Sequence, residues 1–220
     1  MLMLLLDTST EQGIVALVET QIGGAALTSY PLTLGPGCPQ TIHLCIESCL
    51  EGSGVVWSQI GCIAVVSGPG SYTGLRAGAA IAQGLAFSLD LPIAPICSLS
   101  GFTPSNHEGK FAALIDARIA GAYVKFGIQE KTGCRFTSKA KILPLEQFAS
   151  EMSAVPLLVT TKNSKLQGKL KAHFPTISWQ FEERDPCLAA LTREAQKALA
   201  EGYLCKPETF TLNYLREDSF

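Results

Sequence analysis

The chain has 220 residues, 47% hydrophobic and 16% charged, with a formal charge of −2. That composition supplies apolar material for one large core or two small ones. The near-neutral balance excludes the broad basic footprint of a protein that binds nucleic acid unaided, and no run approaches the roughly 18 apolar residues of a membrane-spanning helix.

Residues 1–6 are apolar, have no basic stretch before them and end at Asp7. They are expected as a buried strand rather than a signal peptide, in a cytoplasmic protein that does not engage the membrane. A polar turn over 7–12 and an Ile- and Val-rich strand over 13–19 complete a hairpin with an acidic corner. After the breakers Gly35, Pro36, Gly37 and Pro39, a helix is expected over 40–50, with Ile42, Ile46, Cys49 and Leu50 on one face. The apolar run 60–66 suits a strand buried on both faces. It ends at Ser67-Gly68-Pro69-Gly70, and a helix over 73–89 is expected next, with Thr73 as its N-cap.

Pro92, Pro95 and the polar stretch 104–109 form the clearest break in composition. It divides the chain into an N-terminal lobe, 1–104, and a C-terminal lobe, 105–220. Just after the break the opening pattern returns: an apolar strand over 111–116 ending in Asp116, a short turn, then a strand over 121–128. Either one unit has been used twice to make two similar lobes, or a common hairpin pattern recurs by chance. A strand over 157–160 follows. A helix over 186–202 is framed by Asp185 as N-cap, Pro186 at its first position and Gly202 just past its end. Strands alternating with helices make this an α/β fold.

Eight cysteines (38, 45, 49, 62, 97, 134, 187 and 205) lie mostly in apolar runs. Without a secretion signal they are expected as reduced, packed thiols. Cys45 and Cys49 share a helix face, but no second pair or neighbouring His completes a metal site.

The glycine-rich stretch 67–76 invites comparison with phosphate loops, which present N–H groups and the positive end of a helix to anions. It lacks the Lys of a P-loop, and its third glycine falls one residue too late for a dinucleotide fingerprint. The following helix carries Gly74, Gly78 and Gly84, each costing about 1 kcal/mol relative to Ala. Gly74, Gly78 and Ala82, spaced by four, form a stripe that lets another backbone approach closely. That backbone is either the chain's own or a neighbour's.

The run SGPGSYTGLRAG (67–78) closely resembles the SGPGSFTGLRIG signature of the TsaB (YeaZ) family. LLLDTST (4–10), LPI (91–93), IDAR (115–118) and YLR (214–216) follow in the family's order. The resemblance implies an actin-like, two-lobed fold related to sugar kinases and Hsp70. It further implies a non-catalytic scaffold that acts with TsaD and TsaE in threonylcarbamoylation of adenosine 37 in tRNAs reading codons that begin with A. A heterodimer with TsaD, a homodimer when alone, and tRNA contact only through the complex are expected on the same ground. The family's dimer surface, formed by the two helices of the first lobe, maps to Ile42, Ile46, Thr73, Gly74, Ala77, Gly78, Ile81, Ala82 and Leu85. The catalytic paralogue's HxxxH metal pair is missing: Cys38-Pro39-Gln40-Thr41-Ile42 stands there, and His43 is offset and alone. No catalytic residue and no metal are assigned to this chain.

Asp7 and Asp116 end strands where actin-like ATPases keep carboxylates facing phosphate and magnesium. Asp7, Thr8, Ser9 and Asp116 are therefore the candidate nucleotide contacts, against the plainer reading of hairpin-capping acids. No cofactor is expected on the isolated chain, with ATP or ADP and magnesium placed in the assembled complex. The alternative function is an independent actin-like ATPase or small-molecule kinase. No GxSxG elbow supports a hydrolase. Eight Lys or Arg between 131 and 171, against Glu146 and Glu151, make the second lobe mildly basic, which fits either phosphate contacts to tRNA or ordinary solvated surface.

Overall fold

A computed structural model describes residues 1–34, 38–118, 121–162 and 165–215. The expected breakers Gly35, Pro36 and Gly37, and Arg216 of the YLR motif, lie outside the described residues. In chain order the elements are β1 (Leu2–Asp7), β2 (Gln12–Glu19), β3 (Ala26–Thr33), α1 (Cys38–Ser53), β4 (Ile60–Gly68), α2 (Tyr72–Leu89) and β5 (Ile93–Cys97). They continue with β6 (Gly109–Asp116), β7 (Ala122–Glu130), β8 (Gly133–Phe136), β9 (Lys141–Leu143), α3 (Leu145–Glu151), β10 (Leu157–Thr161), α4 (Leu166–His173), β11 (Gln180–Arg184) and α5 (Leu188–Ala200). Among the described residues no helix is long and apolar enough to cross a membrane.

The chain forms two compact units. The first comprises Met1–Ser98 together with Leu188–Asn213, so a single cut after residue 104 does not describe it. Its sheet runs β3-β2-β1-β4-β5, antiparallel through β3, β2 and β1 and parallel through β1, β4 and β5. Five apolar residues in a row are possible in β1 because both faces are covered. Leu4 and Leu6 join Val15, Leu17, Ile63 and Val65 beneath α1 and α2, whereas Met3 and Leu5 join Ala16, Val18, Cys62 and Ala64 beneath α5. Ile42 and Ile46 of α1 are completely buried in the first of these layers, each contributing about 1.5–3 kcal/mol.

Helix α5, expected in the second lobe, closes the second face of the first sheet with Leu191, Ala195 and Ala198. Its buried Gln196 donates to the carbonyls of Glu19 at 2.9 Å and Gly24 at 3.1 Å, and accepts from the Gly23 amide at 3.2 Å. Sequence position gives no sign of this return, because the helix pattern shows which face is apolar and not which sheet will cover it. The helix also starts later than expected, at Leu188, since the carboxylate of Asp185 pairs with Lys162 at 2.6 Å. Gly202 follows the helix in the left-handed region, with φ +73.

The second unit, Leu99–Cys187 with Tyr214 and Leu215, repeats the plan. Its sheet runs β11-β10-β6-β7-β8, with β9 also pairing with β7. Antiparallel β6–β7–β8 and parallel β6–β10–β11 match β1–β2–β3 and β1–β4–β5 strand for strand. The recurring pattern in the sequence is therefore a duplicated topology. Its core joins Ala112, Leu114, Val124 and Leu158 to Phe148 and Met152 from α3 and its following turn, and to Leu166 and Leu170 of α4.

Candidate functional site

Three segments meet where β1 ends. The polar run after β1 turns because the Asp7 carboxylate accepts from Ser9 twice through Oδ1, from the amide at 2.9 Å and the hydroxyl at 2.7 Å, an arrangement to which short Asx side chains are suited. The Ser9 carbonyl then accepts from the Ser71 amide at 2.7 Å. Ser71, not Thr73, is the N-cap of α2: its hydroxyl accepts from the Gly74 amide at 3.3 Å. Helix α2 begins one residue before the expected cap, which puts the exposed Thr73 inside the first turn.

The glycine-rich turn is held by two further segments of the chain. Ser67 donates to the Ile96 carbonyl at 3.2 Å, and Ser98 donates to the Pro69 carbonyl. The Asn213 amide donates to the Ser67 carbonyl at 2.8 Å. Helix α2 is laid directly on the β1–β2 turn. A Cβ at Gly74 would collide with the backbone carbonyl of Thr8, and one at Gly78 with the Thr8 hydroxyl. The stripe of small residues thus packs on the chain's own turn, which corrects the expectation that Gly74, Gly78 and Ala82 face a neighbouring chain. Ile42, Ile46 and Ala82 are likewise completely buried in the first core, while Ala77, Ile81 and Leu85 pack partly buried at its margin.

The outward side of the same helix pair has a different character. Phe87 is 70% exposed on α2 and Leu44 is 61% exposed on α1. Ala80 and Gly84 are also exposed between them in sequence, with open space beside Gly84. His43 pairs with Glu47 one turn along α1, at 3.3 Å.

Asp7, Thr8 and Ser9 are all buried, at 0%, 1% and 1% exposure. The second carboxylate oxygen of Asp7 and the Thr8 hydroxyl have no hydrogen-bond partner among the described residues. Loss of water pushes the Asp7 carboxyl up to about 6, and the two Ser9 bonds offset part of that rise. Asp116 ends the corresponding strand of the second unit and has a different environment. Lys169 of α4 lies across its two oxygens at 2.7 and 2.9 Å and also donates to the Arg118 carbonyl at 3.2 Å.

Taken separately, neither strand end offers an exposed, unpaired carboxylate to a magnesium nucleotide. The first carboxylate is sealed beneath a helix, with one oxygen already used, and the second is neutralised by a lysine. Of the four candidate contacts, Asp7 and Thr8 each keep one unpartnered oxygen, but both residues are buried, and both oxygens of Asp116 are engaged by Lys169. Among the thiols, burial pushes Cys49 up to about 11 and Cys62 up to about 12, which leaves them protonated and inert at neutral pH.

Lys169 and Ser71 went unassigned in the sequence. Ser71 directly precedes the helix and has the chemistry of an N-cap, a signal that could have found it. Lys169 reaches Asp116 over 53 residues of chain, a pairing that no local pattern encodes.

Comparison with known proteins places this geometry. Residues 39–196 match the family described as TsaD, tRNA N6-adenosine threonylcarbamoyltransferase. The chain is 37% identical over 142 residues to the tRNA threonylcarbamoyladenosine biosynthesis protein TsaB of Haemophilus influenzae, covering 61% of this chain and 57% of that protein. It is 34% identical over 131 residues to TsaB of Escherichia coli, covering 56% and 53%. The matches thus span a little over half the length of these curated relatives. The solved structure of YeaZ from Pseudomonas aeruginosa superposes with a TM-score of 0.78 at 26% identity, covering 97% of this chain and 99% of that one.

Proposed function

This chain belongs to the family described as TsaD, tRNA N6-adenosine threonylcarbamoyltransferase, and from its likeness to TsaB and YeaZ proteins we propose that it is the TsaB-type, non-catalytic subunit in threonylcarbamoylation of tRNA. It acts in the cytoplasm with TsaD and TsaE, on adenosine 37 of tRNAs reading codons that begin with A. It associates with TsaD or, alone, with a second copy of itself. Any nucleotide and magnesium belong to the assembled complex.

The observation that carries a supporting rather than catalytic role is the closure of the Asp7 turn by α2 through Thr8, Gly74 and Gly78. A phosphate-binding turn needs amides and a carboxylate turned toward a ligand. Here those groups bond within the turn or are buried. The alternative, an independent ATPase or kinase, finds no support in that geometry.

The contact surface for the partner lies on the outward side of α1 and α2. Leu44 and Phe87 offer apolar area there, and Ala80 and Gly84 offer close approach. Residues of this kind form the centre of helix–helix contacts between subunits.

The test is genetic and biochemical together. Disrupting the gene should abolish threonylcarbamoyladenosine in total tRNA, measured by mass spectrometry, and a copy in trans should restore it. The purified chain should form a stoichiometric complex with its cognate TsaD and, without partners, should not turn over ATP. Unchanged tRNA modification in the disruptant, or ATP turnover by the isolated chain that Asp7→Ala abolishes, would overturn the reading.

A further inference from the structure

The charges of this chain are sharply divided between its two units. Counted over Leu99–Cys187, there are twelve Lys and Arg against eight Asp and Glu, a net +4. Counted over Met1–Ser98 and Leu188–Asn213, there are four against nine, a net −5. The overall −2 conceals this division, which becomes visible only once α5 is assigned to the first unit.

Within the second unit, several cations are matched locally: Lys141 to Glu151, Lys162 to Asp185, and Arg184 to Glu182. The surface around α4 is different. Lys165 directly precedes the helix, which carries Lys169, Lys171 and His173 and no acidic residue. Lys165, Lys171 and His173 are exposed. Lys169 neutralises Asp116, the carboxylate that would otherwise offset this patch.

The same lysine sets the position of one more cation. Arg118 follows β6 with φ +58, a left-handed conformation for a residue with a side chain, at a cost of about 1–2 kcal/mol. The conformation is held from both sides. The Arg118 amide donates to Asp116 Oδ1 at 2.8 Å, and its carbonyl accepts from Lys169 at 3.2 Å. Arg118 is itself exposed. A backbone held in a costly conformation to present an exposed guanidinium is a feature of contact sites, and the planar fork of Arg suits phosphate oxygens.

We propose that the α4 surface of the second unit, with Arg118 and Lys165 as its principal cations, contacts the phosphate backbone of the RNA substrate. This rests on the tRNA-modification reading above and adds to it a direct RNA contact made by this chain. An acidic protein surface is the competing occupant. RNA is favoured because the cations are spread over a helix and an adjoining turn, as a polyanion requires, and are not gathered around a single point.

Binding of labelled tRNA is measured for the full chain alone and for its complex with TsaD, across a salt series, for the parent and for the Arg118→Ala/Lys165→Ala double variant. The parent should bind at low salt. The variant should bind about tenfold more weakly, with a salt slope shallower by roughly one to two units. Melting temperature and complex stoichiometry should be unchanged. Equal affinity and slope in the two proteins, or a parent chain that does not bind tRNA at low salt, would overturn the proposal. So would a variant that binds tRNA normally but no longer joins TsaD, which would assign the patch to a protein carboxylate surface. If the parent fails to join TsaD, the subunit reading fails, and the free-chain measurement still decides the RNA contact.

Discussion

Gly78 of α2 faces Thr8 of the β1–β2 turn across so short a gap that a methyl group on the glycine would collide with the threonine hydroxyl and stand 3.3 Å from its Cβ. The two residues are 70 positions apart in the sequence, and their contact joins the LLLDTST segment to the SGPGSYTGLRAG segment. It also explains why a helix tolerates glycines that each cost it about 1 kcal/mol.

Gly78→Ala should therefore destabilise the monomer by about 1–3 kcal/mol, read as a lower urea midpoint. The Thr8 hydroxyl is buried without a partner, so Thr8→Ala should be close to neutral alone and should recover most of the loss in the double variant. Gly74→Ala should resist the same rescue, because its obstacle is the Thr8 backbone carbonyl. Equal rescue of both glycine variants would show that the contact is not the one described.

The Asp7 carboxyl gives the fold a definite pH response. Its value rises from 3.8 to about 6 because burial removes water from the charged form. Between those values the folded chain holds a proton that the unfolded chain has lost. Stability contributed at this site therefore falls as pH rises from about 4 to about 6 and is flat above. The difference is at most roughly 3 kcal/mol. Asp7→Asn keeps an oxygen to accept from Ser9 and removes the titration. The stability of the variant minus that of the parent, from urea unfolding, should therefore increase between pH 4 and pH 7, and a difference independent of pH would contradict the assignment.

Arg118 occupies a conformation that glycine adopts without strain. Arg118→Gly should accordingly raise the unfolding free energy by about 1 kcal/mol while reducing RNA affinity. Lys169→Met should act in the opposite direction on stability, by about 1 kcal/mol, because it strips Asp116 of its cation at a partly exposed site. Thermal and urea unfolding of the two variants, run together, check both signs.

Phe87 makes little contact with the first core, being 70% exposed. Phe87→Glu should leave the melting temperature of the monomer within about a degree, as surface changes usually do, and weaken association with TsaD or a second copy at least tenfold, measured by light scattering on eluted species. Gly78→Ala offers the contrast, since it should lower stability whether or not a partner is present.

The local elements could be read because their causes are local. The apolar run of β1, the doubly buried run of β4, the small-residue pattern of α2 and the recurrence of strand, Asp, turn and strand all follow from side-chain period and turn chemistry. Strand β3 escaped notice because it is an edge strand with a polar outer face and Pro31 within it, and β8, β9 and β11 are short. Helices α3 and α4 span only 7 and 8 residues, too few for a period to stand out.

By itself the sequence determined the α/β class, the recurring strand–Asp–turn–strand pattern, the family resemblance and the strand-end positions of Asp7 and Asp116. Only the tertiary structure decided what those positions can do. It laid α2 on Thr8 and closed the Asp7 turn, brought Lys169 onto Asp116, and returned α5 to the first sheet so that the two units carry opposite charge. The physical reason is the same in each case. Period and propensity act between neighbours in the chain, whereas burial, desolvation and ion pairing depend on which distant segment covers a group.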